Sequence, residues 1–305
     1  MDNIQRQLLE QISDLHEIPS GAYNIRANGK LDSRNTTEHI DIVTKTDVPG
    51  IDIIIKPGTK NESVHIPVVL TQSGLEDMVY NDFYVGEDAD VTIVAGCGIH
   101  NCGVQTSEHS GIHTFYVEKN ARLRYIEKHY GEGDGNGKNI MNPTTIVYLA
   151  EGAYMEMETA QIKGVDSTER KTEAVLEDRS TLIIHEKIMT HGEQFARTSF
   201  KVELNGQDCG THVVSRSVAK GHSHQQFLSN VRGNNACSGH TECDAIIMDS
   251  ASVEAIPEIC ANHVDAFLIH EAAIGKIAGE QLIKLMTLGL TEKEAEEEII
   301  NGFLK

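Results

Sequence analysis

The 305-residue chain reads as mainly β: a β-solenoid of stacked strand coils, with a short N-terminal helix and a helical C-terminal subdomain. Three observations predict this. Short runs rich in Ile and Val (HIDIV, GIDIIIKPG, VHIPVVL) are separated by Gly, Pro, Asp and Asn, which is strand-and-turn chemistry. A polar or Gly corner, a small residue and then alternating side chains recur in GEDADVTIVAG, EKNARLRYIEK, AEGAYMEMETAQI, EDRSTLIIHEKI and MDSASVEAIPEI. The small residue falls at Ala89, Ala121, Ala153 and Ser180, at steps of 32, 32 and 27 residues. Period-2 alternation with a similar corner at long, similar intervals suits coils of strand laid on one another. A β-sandwich suits the same short alternating strands and stays as the alternative.

The elements follow in order. Over residues 4–15, Ile4, Leu8, Ile12 and Leu15 share one helical face, so the chain opens with a helix. Residues 1–80 form an N-terminal helix and strand region, 81–275 the β core, and 276–305 the helical subdomain. In that last part GEQLIKLMTLG has Leu282, Leu285 and Met286 at helical spacing, with Gly289 as the stop. Thr291 then begins T-E-K-E, a capping box closed by Glu294. Ala295, Ile299 and Phe303 supply the apolar side of a second helix. The pair is a cap on the β core, a docking surface, or both.

Composition bounds the function. The charge is 26 basic minus 46 acidic residues, −20 with histidine neutral. Such a surface repels phosphate, which argues against nucleic-acid and anionic-membrane partners. No apolar run approaches the ~20 residues of a membrane helix. The acid-bearing amphipathic N-terminus is unlike a signal peptide, so a cytoplasmic location is expected. Residues 131–139, GEGDGNGKN, lack a Ser or Thr after Lys138 and the spacing of a phosphate loop. They read as a flexible excursion, and the chain is not expected to hydrolyse ATP. There is no Gly-x-Ser-x-Gly elbow either.

The chemistry lies in 15 His and six Cys: Cys97, Cys102, Cys209, Cys237, Cys243 and Cys260. Reduced thiols favour metal binding or redox chemistry. Cys97-Gly-Ile-His100-Asn-Cys102 holds soft ligands close enough for zinc or iron. The blander reading packs one cysteine inside and leaves His100 on a turn. A second group contains Cys209, His212, His222, His224, Cys237, His240, Cys243, Cys260, His263, His270 and Glu271. Cys209 to Cys237 and His212 to His240 are 28 residues apart; His185 to His212 and Cys243 to His270 are 27 apart. These intervals match one coil, so such pairs would sit on neighbouring strands about 4.8 Å apart. Stacked histidines need no metal. Cys243, His270 and Glu271 together would converge a thiol, an imidazole and a carboxylate, a set that suits iron.

With these residues in view, the chain resembles the SufB/SufD family, the scaffold subunits of the Suf iron–sulfur cluster assembly machinery. The likeness rests on AGCGIH and the following SGIHTFYVEKNARLRYIEKHY, on HTECDAIIMDSASVEAIPEI, and on IHEAAIGKIAGEQLIKLMTLGLTEKEAEEEIINGFLK. It spans roughly residues 85–305 and is most specific in the last 65; the first 80 match loosely. It implies a right-handed parallel β-helix, an ABC-type ATPase partner docked on the C-terminal helices, and two scaffold chains paired through the end of the β-helix. Cys243 falls on the family's cluster-assembly cysteine, and His270 and Glu271 on its partner His and Glu. Cys97 falls on a cysteine associated with sulfur uptake, and His113 on the strand histidine that follows. Cys237 and Cys209 are further candidate ligands from neighbouring coils. Cys102 and Cys260 have no counterpart. The chain lacks the long N-terminal region of larger paralogues, and Cys243 and His270 occur together, which suggests one scaffold replacing two as a homodimer. The implied cargo is an iron–sulfur cluster, with a sulfur donor upstream and an apo-protein recipient downstream. Two rivals stand beside this: a cluster-free structural adaptor of the ATPase, and a zinc enzyme using Cys97, His100 and Cys102.

Overall fold

The computed structural model describes residues 2–13, 15 and 19–305. Its body is a parallel β-solenoid of about eight turns. Each turn gives one strand to each of two facing sheets. The first sheet runs β2 (Lys30–Asn35), β1 (Ala22–Ala27), β5 (Lys60–Leu70), β7 (Asp90–His100), β9 (Arg122–Glu132), β12 (Tyr154–Lys163), β14 (Thr181–Thr190), β16 (Gly210–Ala219), β18 (Ser238–Ile247) and β20 (Phe267–Gly275). The second runs β3 (Ile40–Thr44), β4 (Gly50–Ile55), β6 (Glu76–Val85), β8 (Ser107–Val117), β10 (Asn139–Met141) with β11 (Thr144–Leu149), β13 (Ser167–Leu176), β15 (Phe195–Leu204), β17 (His224–Gly233) and β19 (Ser252–Ala261). Among the described residues only the opening pairs, β1 with β2 and β3 with β4, are antiparallel. Parallel pairing begins with β1 on β5 and β4 on β6, ahead of residue 81.

The corners explain the repeat. Asp88, Asn120, Gly152, Arg179 and Asp208 all have φ between 55° and 69°, in the left-handed region. Each precedes a small buried residue: Ala89, Ala121, Ala153, Ser180 and Cys209, none more than 1% exposed. The turn brings that side chain against the next coil, so only a small one fits. Inside, apolar residues from the two sheets meet in one continuous core, with Phe83 stacked on Phe115 at 4.3 Å between ring centres.

Helices cover two parts of the first sheet's outer surface. α1 (Asn3–Ser13) buries Leu8, Leu9 and Ile12 against Ile25 and Val69. It ends before Leu15, its apolar face takes Leu9 in place of the 38%-exposed Ile4, and Asp14 of the predicted helix lies outside the described residues. At the other end come α2 (Gly279–Thr287) and α3 (Glu292–Phe303). Gly289 has φ +100°, and Thr291 and Glu294 form the predicted capping box. Ile300 and Leu304 pack on Val218, beside Met189 and Ile246. No described helix is long and apolar enough to cross a membrane.

Candidate functional site within the solenoid

In a strand successive side chains point to opposite faces, so the inward set includes every second residue. On β7 and β9 that set contains Cys97 and His129, which are register partners. The outward neighbours of Cys97 are Gly96 and Gly98, which lie directly under Ile12 and Leu8 of α1. Cys97 is therefore 1% exposed. Burial pushes its thiol well above the usual range, and the Asp77 and Glu127 carboxylates add to this.

A file of buried polar groups runs from Cys97 along the interior. His129 Nδ1 accepts from Arg170 Nη2 at 3.2 Å. Arg170 pairs with Glu127 through Nη1, and its Nε lies 3.7 Å from Glu186 Oε1. Glu186 accepts from Thr198 at 3.1 Å and from Ser215 at 2.7 Å. Ser215 is the register partner of Cys243. A side branch links Glu127 to Tyr125 at 3.0 Å, Tyr125 to His113 at 2.8 Å, and His113 to Asn81 at 3.2 Å. A small cavity beside Cys97 is lined by His109, His113, Glu127 and His129.

Charge in this file is set by burial and pairing. Burial works against the Glu127 carboxylate, but Arg170, then His129, hold it well below its ordinary value. Glu186, with Arg170 farther away, is raised by burial. Cys243 is pushed up to about 12 by burial, then by Glu186 and Asp244, so its thiol is protonated at neutral pH.

Cys243 and His270 both face inward, on adjacent strands. His270 pairs in register with Thr241, not with Cys243. One turn here is 29 residues, so their 27-residue interval makes them diagonal neighbours, roughly 7–8 Å apart and somewhat closer at Cβ. That is within the span of a thiolate and an imidazole sharing one metal ion. Both ring nitrogens of His270 and the hydroxyl of Thr241 are buried without a hydrogen-bond partner among the described residues. Burial, with His240 nearby, lowers the His270 pKa and keeps the ring neutral.

Three of the expected ligands are elsewhere. Glu271 pairs in register with Glu242, faces outward and lies 3.3 Å from His240 Nε2. Cys209 and Cys237 occupy the small-residue corner file; their 28-residue interval is that of the corner. Six residues of strand, about 20 Å, separate Cys237 from Cys243. His212 and His240 stack with ring centres 5.0 Å apart, while His185 pairs with Val214 and not with His212. Cys97 faces inward while His100 faces outward, so Cys97, His100 and Cys102 form no common site. Among the described residues no group of three or more His, Cys, Asp or Glu side chains is arranged to hold a metal ion. Sequence reasoning missed Arg170, Glu127 and Glu186; they stood as charged residues in alternating strands, and no local signal marked them as inward.

Residues 73–303 match the family described as SUF system FeS cluster assembly, SufBD core domain. The chain belongs to the SufBD core family. Its solenoid with C-terminal helices is therefore a SufBD core of the iron–sulfur cluster assembly system. It is 28% identical over 280 residues to an iron-sulfur cluster assembly SufBD family protein of Archaeoglobus fulgidus, covering 90% of this chain and 73% of that one. A second SufBD family protein, from Methanocaldococcus jannaschii, is 28% identical over 255 residues, covering 83% and 79%. A Mycobacterium tuberculosis relative is 26% identical over 228 residues, 72% of this chain and 26% of its own. The matched span takes in Cys97, Cys243 and His270, so both ends of the buried file lie within the SufBD core.

Proposed function

We propose that this SufBD chain is a non-enzymatic, cytoplasmic scaffold on which iron and sulfide become an iron–sulfur cluster, the cluster being cargo. The observation that carries this reading is the buried polar file joining the interior thiol of Cys97 to that of Cys243, ending beside the unpartnered ring of His270. An apolar solenoid would have no use for such a file, since buried polar groups cost free energy unless each is satisfied. In this reading sulfur moves inward past Cys97, and Cys243 and His270 hold iron. Loss of the Cys243 proton accompanies metal binding, because the thiolate is the ligand.

A thiol held near 12 is a poor ligand. Opening the site to water or cation would release it, and a separate ABC-type ATPase would drive that opening. The fit for such a partner is α2, which buries no residue and exposes Ile283 and Met286, with exposed Leu288 just after it. The last coil is likewise uncovered. Ile259 is 44% exposed although its register partner Val231 is buried, which suits a second copy packed end to end.

Anaerobic reconstitution with iron and sulfide tests the scaffold reading. Wild-type protein binds a cluster with matched acid-labile sulfide. Cys243→Ser loses most of it, and His270→Ala weakens it. A Cys243→Ser protein that binds as much as the parent overturns the site and leaves the cluster-free adaptor.

A further inference from the structure

The corner after β7 holds a thiol relay that the interior file does not use. Cys102 is exposed, and its Sγ lies 2.9 Å from His100 Nε2. The other nitrogen of that ring, Nδ1, is 3.0 Å from Glu132 Oε1. Tyr130 donates to Glu132 Oε2 at 3.2 Å. His100 and Glu132 end β7 and β9 and are register partners, so the sheet itself sets the base against its carboxylate. The Asp134 carboxylate is a competing acceptor for the single S–H of Cys102, a contact that holds Asp134 below the ordinary carboxylate range.

The loop carrying Cys102 is held by the Gly-rich segment, which is therefore no free excursion. Gly135 N donates to Asn101 O at 3.2 Å, and Gly137 N to Gly103 O at 3.0 Å. A Cβ at Gly133, Gly135 or Gly137 would stand within 2.2 Å of the carbonyl oxygens of Asn101, Gly103 or Gln105. Alternate glycines are thus what lets two backbones touch, and the contact fixes Cys102 beside its base.

We propose that Cys102 is the surface nucleophile that accepts sulfane sulfur from a donor persulfide, with His100 as its base and Glu132 as the positioning residue. The identity of the cargo rests on the scaffold reading above; the relay rests on its own geometry. A thiol, a base in hydrogen-bond reach and a third group orienting the base is the arrangement that activates a nucleophile. Cys102 gives its proton to His100 Nε2, while His100 Nδ1–H stays on Glu132. The thiolate attacks the terminal sulfur of R–S–SH. The donor S–S bond breaks, the Cys102 S–S bond forms, and the leaving R–S⁻ takes the proton from His100. The transferred sulfur keeps its oxidation state, so no oxidant or reductant is needed. Cys97, buried beneath α1, offers no such access to an outside protein.

The test uses metal-free full-length protein, so it does not depend on cluster binding at Cys243. Iodoacetamide labelling of each cysteine is followed by mass spectrometry across pH, and glutathione persulfide serves as the sulfur probe. Cys102 labels roughly tenfold faster than Cys260 near neutral pH, because its base stands within hydrogen-bond reach. His100→Ala removes that advantage; Glu132→Gln lowers it and Glu132→Asp restores part. Persulfide appears first on Cys102 and is lost from Cys102→Ser. A Cys102 rate equal to that of Cys260 and unchanged in His100→Ala overturns the proposal. So does stoichiometric zinc that shields Cys102 in freshly purified protein.

Discussion

The interior of this solenoid is decided by single residues whose charge or proton is at odds with burial. Arg170 is the central case, because it faces both Glu127 and Glu186. Arg170→Leu leaves two buried carboxylates without a cation, and breaking such a pair typically costs about 3–5 kcal/mol; denaturant titration reads it, and a loss under 1 kcal/mol would mean that the file is wetter than its burial implies. His113 makes a pH prediction. Burial first, then the positive charge of its neighbours, brings it down to about 4 against the pull of Glu127. The unfolded chain therefore takes up a proton near pH 6.5 that the folded chain refuses until about pH 4. Stability from this residue is whole above pH 6.5 and falls with acidification, by about 2 kcal/mol at pH 5. His113→Gln has a flatter stability profile between pH 7 and 5; an unchanged slope assigns the acid sensitivity to other groups.

Elements here are shaped by what lies against them. β7 is a strand with glycine at two outward positions because α1 rests on its backbone. A Cβ at Gly96 would come within 2.7 Å of Ile12 O and 2.9 Å of Ile12 Cβ. Gly96→Ala lifts α1 and destabilises the protein by about 1–3 kcal/mol. Limited proteolysis reads the change as faster cleavage within the first twenty residues; an unaltered digestion pattern shows that the helix can shift without leaving. The corner file shows the same logic. Cys209 and Cys237 attract attention as thiols, yet Cys209 stands where Ala89, Ala121 and Ala153 stand, after a left-handed residue at a corner that admits only a small inward side chain, and Cys237 lies at the next corner of the same file.

At the scale of the molecule, parallel stacking leaves each sheet with a final strand, β20 or β19, that is paired on one edge and open on the other among the described residues. Open edges with exposed apolar residues invite another chain. The end-to-end pairing proposed above predicts that Ile259→Lys shifts the protein from dimer to monomer in light scattering and leaves thermal stability nearly unchanged; a wild-type monomer at micromolar concentration would remove that pairing. The amino-acid sequence by itself determined much of this architecture. The alternating strands, the corner at Ala89, Ala121, Ala153 and Ser180, the α3 capping box and the Gly289 stop depend on interactions within a few residues, and the C-terminal motif carried the family. Tertiary structure alone decided register. From β4 onward one coil takes between 27 and 32 residues, and a slip of one residue turns a side chain from the interior to solvent. That is why Glu271 faces outward while His270 faces the interior, why Arg170 meets Glu127 across 43 residues of chain, and why Cys97 and Cys102, so close in sequence, open on opposite sides of the wall.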